Sequence, residues 1–197
     1  MTTAGNRMAL VQVMGPREGL GLAAKNAALV VLGVGLMICA AKVRVPMWPV
    51  SMTMQTFAVL TLGAAYGARL GLVTLLTYIA LGAAGVTVFT GDSAGLAYIA
   101  GPTGGYVVGF AAAAALVGAL AERGWSRSVT GMIGALVLGN LAIYAVGLPW
   151  MAWLFGAEKG AAWVFQWGIG NFLVGDALKL ALAAMLLPAA WTLTGRR

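Results

Sequence analysis

The sequence predicts an all-α membrane protein, a single domain of six transmembrane helices over residues 1–197, and three observations carry that reading. Hydrophobic residues make up 61% of the chain and charged residues only 9%, against about 25% charged in soluble domains, so there is too little polar surface to face water on every side. Mean hydropathy is +0.94. The apolar residues gather into runs of the length a helix needs to cross a hydrocarbon core, roughly 20 residues for about 30 Å, and charges, prolines or glycine clusters separate the runs.

The first run, residues 20–41, is interrupted only by Lys25 and Asn26 and stops at Lys42 and Arg44. Val45-Pro46-Met47-Trp48-Pro49 follows as a loop or broken helix, because each proline removes a backbone donor and disfavours helix in the residue before it. The second run covers residues 50–68, the third 70–89, and the fourth 104–121, opened by Gly101-Pro102 with proline in a first-turn position. The fifth covers 129–148 and is expected to stop at Pro149. Residues 150–167, rich in tryptophan and carrying Glu158 and Lys159, suit an interfacial segment better than a seventh span. The sixth run is 168–187, with Pro188 near its end. Residues 1–20 lack a compact apolar core followed by a small-residue cleavage site, so a short cytoplasmic tail over 1–19 is expected and not a cleaved signal.

With six spans both termini share a side. Arg7, Arg17, Lys25, Arg69, Arg123, Arg127, Arg196 and Arg197 fall on that side, eight basic residues, and only three, Lys42, Arg44 and Lys159, fall on the other. Cytoplasmic loops collect positive charge, which predicts a multi-pass protein of a bacterial inner membrane with both termini cytoplasmic. The net charge of +7 is a product of the same bias, and no nucleic-acid partner is needed to explain it.

With no histidine and one cysteine, Cys39, the chain has no material for His or Cys metal clusters, a His-based triad, His-ligated haem or an internal disulfide. It also lacks the phosphate-binding pattern GxxxxGK[ST], so ATP-driven work would need partner ATPases. The expectation is a protein that is not an enzyme and carries no cofactor.

The strongest candidates for chemistry are Asp176 and Lys179, three residues apart on one face of the last span. Charges that deep are costly, turn inward and usually mark a ligand or ion path. An internal ion pair that locks helix packing is the competing reading, and the two are compatible. A second polar group, Ser51, Thr53, Gln55 and Thr56, enters the second span; in an extended stretch Ser51, Thr53 and Gln55 would point one way. Gln55 offers donors and an acceptor at once, while Ser51 and Thr53 also read as ordinary helix caps. The third group lies between spans three and four, at Thr90-Gly91-Asp92 and Gly101-Pro102-Thr103-Gly104-Gly105-Tyr106, where glycines at a helix start either admit a ligand to backbone N–H groups or serve close packing. Tyr98 and Tyr106 read as pocket walls or as an interfacial belt, Asn140 and Asn171 as interhelical glue, and Asp92 as a solvated charge. Small residues recur four apart at Ala24 and Ala28, Ala23 and Ala27, and Gly67 and Gly71, which lets helices approach closely in lipid.

Taken in order, VPMWPVSMTMQTF at 45–57, Tyr78-Ile79-Ala80-Leu81-Gly82 with Val86-Thr87-Val88-Phe89, GPTGGY at 101–106 with Gly109-Phe110, and Gly175-Asp176 with Lys179 resemble the BioY family, the biotin-binding S components of energy-coupling factor (ECF) transporters. The resemblance implies an S-component-like bundle of six helices that captures biotin from outside, with the loop after helix one closing over it. It implies as partners a transmembrane coupling (T) protein and two ATP-binding-cassette ATPases, with the S component toppling in the membrane to release the vitamin inward. Biotin would be a transported ligand and not a cofactor. Asp176 and Lys179 match the family's polar pair in the last helix, and Gln55 its loop-to-helix glutamine; Thr53, Tyr98 and Thr103 complete the expected ligand set. Ala24 with Ala28 would be the coupling-protein contact. The resemblance gives no place to Thr90-Gly91-Asp92. A carboxylate-bearing vitamin other than biotin, or a stand-alone small-solute carrier, is the alternative.

Overall fold

The computed structural model describes residues 8–193, which form a helical bundle. In chain order it comprises α1 (Gly19–Lys42), a short antiparallel strand pair β1 (Arg44–Val45) and β2 (Met52–Thr53), α2 (Gln55–Tyr66), α3 (Ala68–Ala83), α4 (Gly95–Ala100), α5 (Gly104–Glu122), α6 (Val129–Lys159), α7 (Ala161–Gly168) and α8 (Leu173–Leu193). In the strand pair Arg44 faces Thr53 and Val45 faces Met52. Among the described residues, α1, α5, α6 and the continuous α7–α8 stretch are long and apolar enough to cross a membrane. Helices α2 and α3 are shorter, with 12 and 16 residues, or about 18 and 24 Å at a rise of 1.5 Å per residue.

The expected second and third spans thus shrink for identifiable reasons. Residues 50–54 belong to the hairpin, and the helix begins only at Gln55. Gly85 adopts φ +99°, a left-handed conformation that ends α3. The apolar residues beyond it, Val88 and Phe89, are buried as loop and not as helix. Between α2 and α3, Gly67 at φ +84° turns the chain in one residue.

Two proline expectations also change. Helix α6 does not stop at Pro149 but carries it inside and runs on to Lys159, because a proline removes only one N–H and neighbouring elements in a bundle hold the helix on either side. Trp150, next to it, donates its indole N–H to the Gly101 carbonyl (3.0 Å). The expected interfacial segment is therefore the end of α6 followed by α7. The sixth span starts later than expected, at Leu173, after a tight turn over Gly170–Phe172, and Pro188 lies within it.

Helix α5 occupies the centre and packs on α2, α3 and α6. Small residues make this possible. A Cβ on Gly63 of α2 would lie 2.7 Å from the Ala114 carbonyl oxygen of α5, and one on Gly109 of α5 would lie 2.9 Å from the Ile143 carbonyl oxygen of α6. Such approaches supply the van der Waals contact that holds helices together in lipid. The outward faces are apolar, with Leu20, Val31 and Leu32 on α1 and Val174, Leu178 and Met185 on α8 all exposed.

Part of the expected N-terminal tail is ordered structure. Gln12 donates to Glu122 at the end of α5 (2.9 Å), and Glu122 also accepts the Ala68 amide at the start of α3 (3.2 Å). Lys25 reaches back to the carbonyls of Met14 (2.9 Å) and Val11 (3.3 Å). These contacts fold residues 9–14 against the bundle. Residues 1–7 of the expected tail, and Arg7, Arg196 and Arg197 in the charge comparison, lie outside the described residues.

Replacing Gly63 by valine should force α2 away from α5 and destabilise the bundle by about 1–3 kcal/mol, the usual cost of overpacking. Thermal unfolding in detergent, followed by intrinsic tryptophan fluorescence, measures it, and an unaltered midpoint would show that the two helices separate freely.

Candidate functional site

The face α8 turns inward is set by its charges. Asp176 is 4% exposed and Lys179 9%, while Leu178 between them is 69% exposed, so one side of the helix is polar and enclosed and the other meets the surroundings. Asp176 lies in the first turn of α8, where the helix dipole favours a negative charge. Lys179 donates to its Oδ1 at 3.1 Å and to the Thr56 hydroxyl at 3.1 Å. Thr56, from α2, also reaches Oδ1, at 3.4 Å. Oδ2 accepts from Tyr144 (2.5 Å) and Asn140 (3.1 Å), both on α6. Donors from three helices thus converge on one carboxylate.

A second network begins one residue earlier on α2. The Gln55 side chain is buried; its amide nitrogen donates to the Tyr78 hydroxyl on α3 (2.9 Å), which in turn donates to the Val88 carbonyl (3.0 Å). Its amide oxygen accepts from Thr90 (3.1 Å) and Thr53 (3.2 Å). The Thr53 hydroxyl also accepts the Gln55 backbone N–H (3.2 Å), but the N-cap of α2 is Met54 and no side chain caps it, so neither Ser51 nor Thr53 is a helix cap.

Members of both networks line one cavity of about 200 Å³. Ser51, Thr53 and Gln55 line it together although Gln55 opens helix α2 and no extended run joins the three, with Thr103 and Tyr98 on the α4–α5 side and Asp176 and Lys179 on the α8 side. Phe110, Ile143 and Phe172 supply apolar wall, and Tyr98 is stacked on Phe89 with ring centroids 4.6 Å apart. The hairpin after α1 brings Pro49, Val50 and Arg44 to the cavity. At the hairpin's tip, Trp48 packs against Phe155 of α6 (6.0 Å) and Trp163 of α7 (5.7 Å). At its root, Lys42 gathers the carbonyls of Thr87 (3.2 Å), Phe89 (3.3 Å) and Gly91, with Asp92 3.9 Å away. Asp92 is an exposed loop charge, as expected.

Counting donors and acceptors shows what the cavity can hold. A carboxylate has about four lone-pair sites, and Asp176 fills them with protein donors, the Thr56 contact being the longest. Lys179 has three N–H groups and uses two; the Gln55 amide has two and uses one. The Arg44 guanidinium makes no hydrogen bond or ion pair among the described residues. Unused capacity is thus mainly donor and cationic, which suits a ligand bearing a carboxylate and a carbonyl around an apolar body. A ligand N–H would reach Asp176 only by displacing a protein donor, and Thr56 at 3.4 Å is the longest of its four contacts.

All six expected ligand residues therefore border one cavity, and Ala24 and Ala28 lie apart from it, exposed on α1. Gly104, Gly105 and Gly109 are buried in close packing, beside Ile99, Trp150 and Ile143, and do not present backbone to the cavity. Asn140 does bridge helices, through Asp176, whereas Asn171 accepts from Gln166 five residues away. Sequence reasoning missed Tyr144 and Arg44 as site residues, and named Thr90 only as part of the third candidate group. For Tyr144 a signal existed: it follows Asn140 by four residues in an otherwise apolar span, which puts both on one helix face. Arg44 was counted only as a loop charge, and nothing in the pattern around Thr90 indicated that its loop folds onto Gln55.

Comparison with known proteins bears on the same residues. The model of the BioY family matches residues 9–196. The chain belongs to the BioY family. Among relatives, a probable biotin transporter BioY from Pyrococcus horikoshii is 39% identical over 163 residues, covering 83% of this chain and 94% of the relative. A biotin transporter BioY from Thermotoga maritima is 32% identical, covering 77% and 86%, and one from Rhizobium etli is 34% identical, covering 70% and 76%. Among solved structures, the crystal structure of an S component for biotin from an ECF-type ABC transporter superposes with a TM-score of 0.75 over 89% of this chain and 95% of that one, at 19% identity. At that identity the likeness establishes the fold. The bundle is thus the S-component architecture of the BioY family.

Replacing Tyr144 by phenylalanine removes the closest donor to Asp176 while keeping the ring. The bundle should lose about 1–2 kcal/mol, within the range of interhelical hydrogen bonds to a charged group. A thermal midpoint equal to the parent's would mean that Asn140, Thr56 and Lys179 sustain the carboxylate without it.

Proposed function

We propose that the protein is the biotin-capturing S component of an ECF-type uptake system, with no covalent chemistry of its own. The observation that carries the proposal is the cavity itself: a donor-rich space of mixed polar and apolar lining, with Lys179, Gln55 and Arg44 on its walls and Asp176 fully hydrogen-bonded beside them. Biotin brings a carboxylate and a ureido group that donates and accepts, which suit the placed polar groups, and an apolar thioether ring, which suits the wall of Phe110, Ile143 and Phe172. The relatives' names and the shared fold support the same ligand. Asp176, Lys179, Gln55, Thr53, Tyr98 and Thr103 are assigned as contacts, with Arg44 added from the geometry.

The chain would act as one transmembrane domain of a bacterial inner membrane with both termini cytoplasmic. In that orientation the Lys42 end of α1, the hairpin and the cavity face outward, and biotin enters beneath the hairpin. Delivery needs an ATP-driven engine, so a T protein and two ABC ATPases are the proposed partners. Ala24 and Ala28, on the exposed side of α1, offer the small-residue surface on which a helix of the T protein packs.

Titration calorimetry of the purified protein with biotin, without ATP, tests the ligand: saturable heat is expected. Heat with another carboxylate vitamin and none with biotin would reassign the specificity, and uptake into proteoliposomes without ATPases would make the protein a stand-alone carrier. Replacing Lys179 by alanine should weaken biotin binding by roughly 2–5 kcal/mol, much of it from leaving a buried charge unpaired; an unchanged dissociation constant would leave the pair a purely structural role. Replacing Ala24 and Ala28 together by leucine should preserve biotin binding and reduce co-purification with the T protein. The opposite pattern, normal assembly with lost binding, would contradict the assignment.

A further inference from the structure

Two cavities meet at the end of the bundle far from the vitamin site. Lys25 is 17 residues before Lys42 on α1, which is about 26 Å along the helix. One cavity, of about 350 Å³, is bordered by Arg17, Lys25 and Arg69 together with Gln12 and Asn26. The other, of about 400 Å³, is an apolar groove between α1 and α3 bordered by Ala27, Val30, Leu70 and Val73. They share Asn26, Arg69 and Leu70. Asn26 and Val30, like Arg69 and Val73, are four residues apart, so each helix carries its polar and its apolar member on one face.

The polar cavity is strongly cationic. No Asp or Glu borders either space; Glu122, held by Gln12 and the Ala68 amide, is not among the lining residues. Neither Arg17 nor Arg69 makes a hydrogen bond or ion pair among the described residues. Lys25 uses two of its three N–H groups on the carbonyls of Val11 and Met14, which fixes its ammonium beside them with one donor to offer. Three cations with unused donors converge where an apolar groove begins, and Val73 in that groove is half exposed at the bundle's surface.

We propose that this double cavity binds one anionic phospholipid, its phosphate among Arg17, Lys25 and Arg69 and the upper part of one acyl chain in the α1–α3 groove. A free phosphate would leave the groove unused, and a zwitterionic lipid would bring its own cation into a ring of three. The site lies at the end of the bundle with the Lys and Arg excess; in the orientation proposed above that end meets the cytoplasmic leaflet, whose anionic lipids attract basic segments. The bound lipid would join residues 9–17 to α3 and α1.

The test uses the full chain, delipidated in neutral detergent, with retained lipid read by native mass spectrometry and stability by thermal unfolding. Phosphatidylglycerol should remain bound and raise the midpoint, and phosphatidylcholine should do neither. The double variant Arg17→Gln, Arg69→Gln should lose at least about tenfold in phosphatidylglycerol affinity while keeping its elution profile. Val73→Trp, which fills the groove and leaves the cations in place, should lose it too. Equal retention of the two lipids, sn-glycerol 3-phosphate competing as well as the intact lipid, or undiminished phosphatidylglycerol binding in the double variant would each overturn the proposal. So would a double variant that keeps the lipid and loses co-purification of the T protein, which would make the groove a protein-docking surface. If the double variant does not fold, Val73→Trp decides alone, and lipid retained there refutes the site. None of these readouts involves biotin, so they stand or fall separately from the vitamin assignment.

Discussion

A carboxylate and an ammonium held 3.1 Å apart, almost without solvent, set the terms for the rest of the bundle. Burying two charges costs several kcal/mol each unless hydrogen bonds replace their water. The replacements come from separate places: Thr56 on α2, Asn140 and Tyr144 on α6. Helices α2, α6 and α8 must therefore meet in one relative rotation. A shift of α8 by a single residue turns its face by about 100° and would exchange Asp176 for its neighbour Gly175 or Ala177. Once Thr56 is fixed in this way, Gln55 beside it is fixed as well, and the second network to Tyr78, Thr90 and Thr53 assembles around it.

The charged pair was legible in the sequence because two opposite charges at helical spacing inside an apolar run have few places to go. The glutamine at the helix entrance was legible for the same reason. Helix limits were harder. Hydropathy measures transfer out of water and not backbone conformation, so Val88 and Phe89 read as membrane span although they fill the core from a loop. Pro149 read as a stop because the rule concerns an isolated helix, whereas here the bundle carries α6 through the missing hydrogen bond. Arg44, Tyr144 and Thr90 enter the site only through tertiary pairing, the strand register for Arg44 and the α6–α8 contact for Tyr144. The order of the motifs, rather than any single one, carried the family resemblance.

The two ends of α1 differ in what they hold. Toward Lys42 the helix leads into the hairpin over the vitamin cavity; toward Gly19 it meets the folded-back segment and the cationic groove. Between them α1 presents small and apolar side chains to its surroundings, with Ala24, Ala28, Val31 and Leu32 exposed. The two polar networks of the cavity include no residue of α1 among the described residues.

Lys42 has a further consequence. Its ammonium ties the root of the hairpin to the carbonyls of Thr87, Phe89 and Gly91, yet Lys42 does not border the cavity. The side chains that line the cavity and the one that anchors the root of the hairpin are thus different residues. Under the function proposed above, substitutions in the walls and at Lys42 would act on separate parts of the machinery, so tightness of capture and speed of escape could evolve apart.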